Sequence, residues 1–240
     1  KTNIKTLNYS LGTMIGRVQS LSSYFFKRRG PLSLSINQSG GFINWKSKDQ
    51  FPNLQIYFNP LTYSITHQNK RPLLQTDKFN GFIIGFNSCR PKSCGSIDLK
   101  SPNFNDKPII DPNYLDHQQD KDDVFSAFDF IKKISSTQSI KNITLSSVNI
   151  NPLNMNNEEL IKHFKKNATS VYHPCGTCRM DNDSKRGVVS KRLKMHGSDN
   201  LWIVDASVFP NITSGNINAP VMMLAHLASK FIIEDLKIKK

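Results

Sequence analysis

Four cysteines are the first residues whose spacing could do chemistry. Cys89 and Cys94 stand as C-x4-C, and Cys175 and Cys178 as C-x2-C. Thiolates at such spacings can close a four-ligand zinc site. Cys175-Gly176-Thr177-Cys178 also has thioredoxin-like redox spacing. Beside this second pair stands His173, between Tyr172 and Pro174. A histidine, with an ordinary pKa of about 6.5, can exchange a proton near neutrality. Taken by itself, a Tyr-His-Pro histidine reads more readily as a capped loop residue. Four cysteines in 240 residues do not make a disulfide scaffold.

Several elements must position these groups. Gly40–Ile43 and Leu54–Phe58 read as short strands bounded by turn residues. Gly81–Phe86 reads as a buried strand, with Gly95–Leu99 as its neighbour. A turn-rich stretch, Ser101–Tyr114, follows. Val124, Ala127, Phe128, Ile131 and Ile134 recur at helical period, so Asp120–Ile134 is expected to be an amphipathic helix. Asn156–Phe164 reads as a second helix, its Glu158 and Glu159 placed where the helix dipole favours them. Leu201–Val204 reads as a buried strand ending at Asp205, which by itself is a plain strand-end turn. The last helix is expected to start near Asn218–Pro220, where a proline lacks no needed N–H, and to run to Leu236. The fold class is α+β or α/β.

Composition is that of a globular protein, with 38% hydrophobic and 21% charged residues. No apolar run approaches the about 18 residues of a membrane span, so none is expected. The first residues lack the pattern of a signal peptide, and the initial Lys1 suggests that sequence is missing upstream. The formal charge of +14 raises the possibility of a nucleic-acid or other polyanion partner. Yet the basic residues are dispersed, the tightest groups being Lys27-Arg28-Arg29 and Lys237–Lys240, and no nucleic-acid motif accompanies them. A solvated lysine-rich surface is the plain alternative, and no nucleic-acid partner is expected.

Residues 171–229 hold an ordered set of motifs: Tyr-His-Pro-x-Gly-Thr-x-x-Met, Leu-x-x-His-Gly, Val-Asp-Ala-Ser-x-x-Pro and Ser-Gly-Asn-x-Asn-Ala-Pro. In this order they closely resemble the C-terminal signature of the glucose–methanol–choline (GMC) oxidoreductases. Upstream, Arg28-Arg29-Gly30-Pro31-Leu32, Gly40-Gly41-Phe42, Arg90–Ser96 and Ile110–Tyr114 are similar to substrate-domain landmarks of choline-dehydrogenase-like members. The family's Gly-x-Gly-x-x-Gly turn, which cradles the dinucleotide phosphates, occurs nowhere in the chain. The chain is therefore expected to be the C-terminal part of such an enzyme and not to hold FAD tightly by itself.

The resemblance implies a substrate-binding domain over residues 1–155, with an antiparallel sheet and covering helices. Residues 156–240 would return to a Rossmann-like FAD domain. It implies FAD as cofactor, a small-molecule alcohol as substrate, and oxygen, a quinone or another carrier as electron acceptor. The expected compartment is cytoplasmic or the periphery of a membrane. His173 falls at the catalytic histidine position, as proton acceptor and alkoxide stabiliser. Asn216 falls at its partner position; as a plain alternative, Asn suits the Ser-Gly-Asn turn. Asp205 and Ala206 fall against the ribityl and pyrophosphate region, and Asn218, Ala219 and Pro220 open a helix directed at the flavin. Gly176 and Thr177 would permit close packing. Cys175 and Cys178 become small packing residues, and no metal is expected. His196 reads as a surface turn residue, His226 as packing or solvent-facing, and Tyr57, Phe58 and Tyr63 as candidate cavity aromatics. The competing expectations are a truncated fragment without activity of its own and a basic polyanion-binding protein.

Overall fold

The structure, a computed structural model, describes residues 1–48, 50–68, 71–148 and 151–236. The Lys237–Lys240 basic group lies outside the described residues. The chain divides into two compact units, Lys1–Asn87 with Asp123–Asn167, and Ser88–Asp122 with Ala168–Lys240. The 155/156 boundary expected from sequence falls inside the first of these units.

In the first unit, α1 (Leu7–Gly12) and α2 (Met14–Lys27) are split by Thr13. The Thr13 hydroxyl caps α2 by accepting from the Gly16 N–H at 3.1 Å, which satisfies one of the donors a helix start leaves open. α2 stops where Arg28 turns left-handed at φ 51° and Pro31 follows. The buried Asn8 pins α1: its side chain donates to the Thr62 and Asp77 carbonyls and accepts from the Thr62 N–H.

β1 (Ser39–Ile43), β2 (Leu54–Asn59) and β5 (Ile83–Ser88) form one sheet in the order β1-β2-β5. β1 and β2 are antiparallel, with Ile43 opposite Leu54. Gly40 is required here, because a Cβ would sit 2.2 Å from the Ile56 carbonyl oxygen. β3 (Tyr63–Gln68) and β4 (Arg71–Thr76) make a separate antiparallel hairpin.

α3 (Gln118–Ser135) covers the three-stranded sheet with its apolar stripe. Leu54, Ile56 and Ala127 form the buried centre, flanked by Ile43, Trp45, Ile84, Phe86 and Phe130. Trp45 meets Phe130 edge-on and donates from Nε1 to Asp129 at 2.8 Å, while Asn53 donates to Asp123 at 3.0 Å. Phe86 stacks on Phe164 of α5 (Asn157–Asn167), and α4 (Gln138–Ile143) lies between α3 and α5 in sequence.

The second unit contains the small antiparallel pair β6 (Ser96–Asp98) and β7 (Ile109–Asp111). Gly95–Leu99 therefore does not flank Gly81–Phe86 as expected; its partner comes from the turn-rich stretch. Gly95 allows this, since a Cβ would lie 1.9 Å from the Asp111 carbonyl oxygen. The buried Asp120 carboxylate fixes the preceding loop, accepting from the N–H groups of Lys92 at 2.7 Å and Ser93 at 2.9 Å. The unit ends in α6 (Asn218–Asp235), packed through Leu224 and Ala228 on Val189, Leu193 and Val208.

The strand expected at Leu201–Val204 is reduced to one bridge, Lys194 with Trp202. Ile203 and Val204 pack on the loop core around Val189 and Leu193, not on a neighbouring strand, and Leu201 is exposed. The α+β class stands. The described residues contain no helix long and apolar enough to cross a membrane.

Leu54 is completely buried at the centre of the first unit. Leu54→Ala is expected to lower stability by about 2–5 kcal/mol, the range for a leucine truncated inside a packed core. Urea unfolding checks it; a shift within error of zero would show that the sheet and α3 do not form this core.

Candidate active site

His173 and Asn216 lie side by side. Asn216 Nδ2 is 2.8 Å from His173 Nε2. An amide nitrogen can only donate, so in this contact the ring nitrogen is the acceptor. His173 is half-buried and Asn216 exposed, so the pair faces outward.

Each partner is held by its own segment. Tyr172 takes a left-handed conformation at φ 59° and is 83% exposed, turning the chain sharply before His173. Gly176, at φ 92°, turns it again three residues later, where an L side chain would be strained. The loop then binds the turn after Asp205: the Cys178 N–H donates to the Ser207 carbonyl at 2.9 Å, and the Met180 N–H to the Val208 carbonyl at 2.8 Å. Asn216 directly precedes Ile217, a buried residue that caps α6. The far end of α6 is clamped by Arg192, which donates to the Phe231 carbonyl, Glu234 and Asp235. The Arg192 guanidinium also lies over the Phe231 ring. Those two carboxylates hold Arg192 above the usual arginine range.

Asp205 does not end a buried strand. It is exposed and caps the 3-10 turn Ala206–Val208, accepting from the Ser207 N–H at 2.8 Å. That bond engages one of its two carboxylate oxygens. Ala206 is half-buried, Asn218 and Ala219 are exposed, and Pro220 is half-buried in the first turn of α6. No side chain caps that helix start.

His196 is not the surface residue expected. It is half-buried, with Nε2 2.9 Å from the Asp181 carbonyl oxygen, where it ties two loops together. His226 is exposed on α6. Phe58 stacks on Phe82, and Tyr57 and Tyr63 are half-buried, all in the first unit. The four cysteines are thiols. Among the described residues, no three His, Cys, Asp or Glu side chains converge as metal ligands. Burial, and secondly the neighbouring Cys94, push the Cys175 thiol up.

Sequence reasoning missed the loop-to-turn bonds and the Arg192 clamp. The bonds are main-chain to main-chain and leave no trace in residue type. Arg192 is one of many basic residues, and only its distance in space to the end of α6 distinguishes it.

A profile of GMC oxidoreductases matches residues 91–225. The chain belongs to the GMC oxidoreductase family. Among its relatives, it is 35% identical to an "alcohol dehydrogenase [acceptor]" of Pseudomonas putida, over 89% of this chain and 37% of that protein. It is 32% identical to an oxygen-dependent choline dehydrogenase of Chromohalobacter salexigens, over 85% of this chain and 35% of that protein. The chain thus spans little more than a third of the length of these curated relatives. Its fold is similar to that of formate oxidase from Aspergillus oryzae, with a TM-score of 0.81 at 20% identity, covering 97% of this chain and 44% of that one. Pyridoxine 4-oxidase from Mesorbium loti is similar at a TM-score of 0.65 and 25% identity, over 87% of this chain and 39% of that one.

A thiol whose pKa is raised holds less reactive thiolate at a given pH. Iodoacetamide at mildly alkaline pH is therefore expected to label exposed Cys94 well before Cys175, with Cys175 catching up only as the pH rises further. Peptide mapping of a time course checks the order; faster labelling of Cys175 would contradict its half-buried, raised thiol.

Proposed function

We propose that the protein to which this chain belongs oxidises an alcohol to an aldehyde or ketone with FAD as cofactor. The observation that supports this most is the hydrogen bond between His173 and Asn216. Family membership and similarity to proteins named as alcohol and choline dehydrogenases agree with it.

Oxidation of an alcohol removes a hydroxyl proton and a hydride from the same carbinol carbon. FAD, when bound, supplies the acceptor for the hydride. His173 and Asn216 serve the other half of the reaction. A substrate hydroxyl entering between them replaces their mutual bond with two of its own: its proton goes to His173 Nε2, and its oxygen accepts from Asn216 Nδ2. The developing alkoxide is then flanked by an imidazolium N–H and an amide N–H, both aimed at the oxygen where negative charge grows.

Residues Asp205, Ala206, Asn218, Ala219 and Pro220 would hold the cofactor, and their chemistry fits it. The Asp205 carboxylate offers a second oxygen to a ribityl hydroxyl. The small Ala206 side chain lets the backbone approach closely. The uncapped start of α6 presents the positive end of an 18-residue helix to negative charge. In this reading residues 156–240 serve the cofactor side and residues 1–155 the substrate side. This division of labour runs along the sequence and not by compact unit. The electrons pass on to oxygen, a quinone or another carrier.

In the full-length protein, His173→Ala is expected to slow anaerobic flavin reduction by an accepted alcohol about 100- to 10,000-fold, the usual worth of a positioned acid–base group. Asn216→Ala removes one donor to the developing alkoxide and is expected to cost less, about ten- to a hundredfold. Both variants keep the bound-flavin spectrum, since neither residue supplies the main cofactor contacts. Rapid mixing with an alcohol and its α-deuterated form reads the hydride step. An undiminished reduction rate in His173→Ala, with a full isotope effect, would make His173 structural and overturn the mechanism.

A further inference from the structure

Helix α2 is built with its polarity reversed. Its inward residues are small: Gly16 and Ser20 are buried and Ser23 half-buried. At Gly16 a Cβ would stand 2.4 Å from the Tyr9 carbonyl oxygen and 2.8 Å from Ser10 Cα, so a close approach to α1 excludes any larger residue there. The large apolar residues Met14, Ile15, Val18, Leu21, Phe25 and Phe26 all point outward, with Met14 80%, Phe25 72% and Phe26 78% exposed. At about 100° per residue they occupy a continuous stripe of about 140° around the helix. Leu32, Leu34 and Ile36 extend the exposed apolar surface beyond its end.

The charge around this stripe has one sign. Arg17 lies on its flank, and Lys27, Arg28 and Arg29 follow at the C-terminal end. The Arg28 guanidinium sits over the Tyr24 ring at the stripe's edge. The first acidic residue of the chain is Asp49, and the preceding 48 positions hold eight lysines and arginines. An apolar helical face with aromatic residues and a cationic border, in a stretch of 48 residues without an acidic side chain, matches the interface of an anionic bilayer. Phenylalanine and leucine side chains enter the boundary of the acyl chains while lysine and arginine stay at the headgroups.

We propose that the outward face of α2 docks on an anionic lipid surface, with Val18, Leu21, Phe25 and Phe26 inserted and Lys27, Arg28 and Arg29 at the phosphates. The attachment is peripheral and lies in the plane of the interface. It stands independently of the oxidoreductase reading.

The test is sedimentation of the full-length protein with phosphatidylglycerol–phosphatidylcholine vesicles, against vesicles of phosphatidylcholine alone. The protein is expected to bind the anionic vesicles and release with salt. Lys27→Gln with Arg29→Gln should weaken that binding about thirtyfold, since each basic residue near an anionic surface contributes about fivefold. Val18→Ser with Phe25→Ser should weaken it about a hundredfold by removing two buried apolar groups. The apolar variant should also melt at the parent temperature and keep the parent's oligomeric state. A lowered melting temperature or a change of oligomeric state in that variant would mean that protein, from the same or a second chain, covers the face, and would overturn the proposal. So would a parent that ignores anionic vesicles, or variants that bind them as well as the parent.

Discussion

Two main-chain hydrogen bonds, from the Cys178 N–H to the Ser207 carbonyl and from the Met180 N–H to the Val208 carbonyl, join the loop that carries His173 to the turn that Asp205 caps. Without a strand at this point, nothing in regular secondary structure fixes the distance between the two segments. Val208 is fully buried beside Val189 and Leu193, so the bonds are anchored on a packed core. The position of His173, and with it the pairing to Asn216, depends on that junction.

The remaining supports belong to α6. Leu224 and Ala228 seat the helix on the same core, and Arg192 secures its C-terminal end through three partners. A helix held at its middle and its end has a fixed start. Asn216, two positions before it, inherits that rigidity, as does the uncapped helix start. The pair is half-buried at His173 and exposed at Asn216, so its alignment owes little to its own packing; it comes from buried aliphatic contacts one layer below.

Much of this was legible in the sequence, for identifiable reasons. The 3.6-residue recurrence of Val124, Ala127, Phe128 and Ile131 marks α3 because that helix buries one face on a sheet. The bounds of α6 were legible because Pro220 marks its first turn. The closeness of residues 173 and 216 followed from ordered motifs, not from any local signal. What failed did so where residue type and environment part company. Leu201–Val204 has a strand's composition, yet Ile203 and Val204 fill a loop core and Leu201 is exposed. The Asp205 carboxylate is used in a cap that the same residues in a strand end would not need. His196 is polar and adjoins a glycine, so it reads as surface, but a carbonyl 2.9 Å away gives it a half-buried place. The division into compact units was not legible either, because residues 88–122 and 123–167 fall on different sides of it without any compositional break.

The small inward face of α2 also bears on local stability. Glycine and serine side chains gain little from leaving water, so a helix that turns them inward and exposes its leucine and phenylalanines draws little hydrophobic free energy from the rest of the molecule. Its order rests on the Thr13 cap, the left-handed stop at Arg28 and close backbone contact with α1. Such an element sits at the low end of the range of local opening free energies, and its amides exchange with solvent through partial openings that leave the sheet intact. Any surface that binds the folded helix and not the opened one raises its protection by mass action, so the helix is most firmly structured when it is occupied.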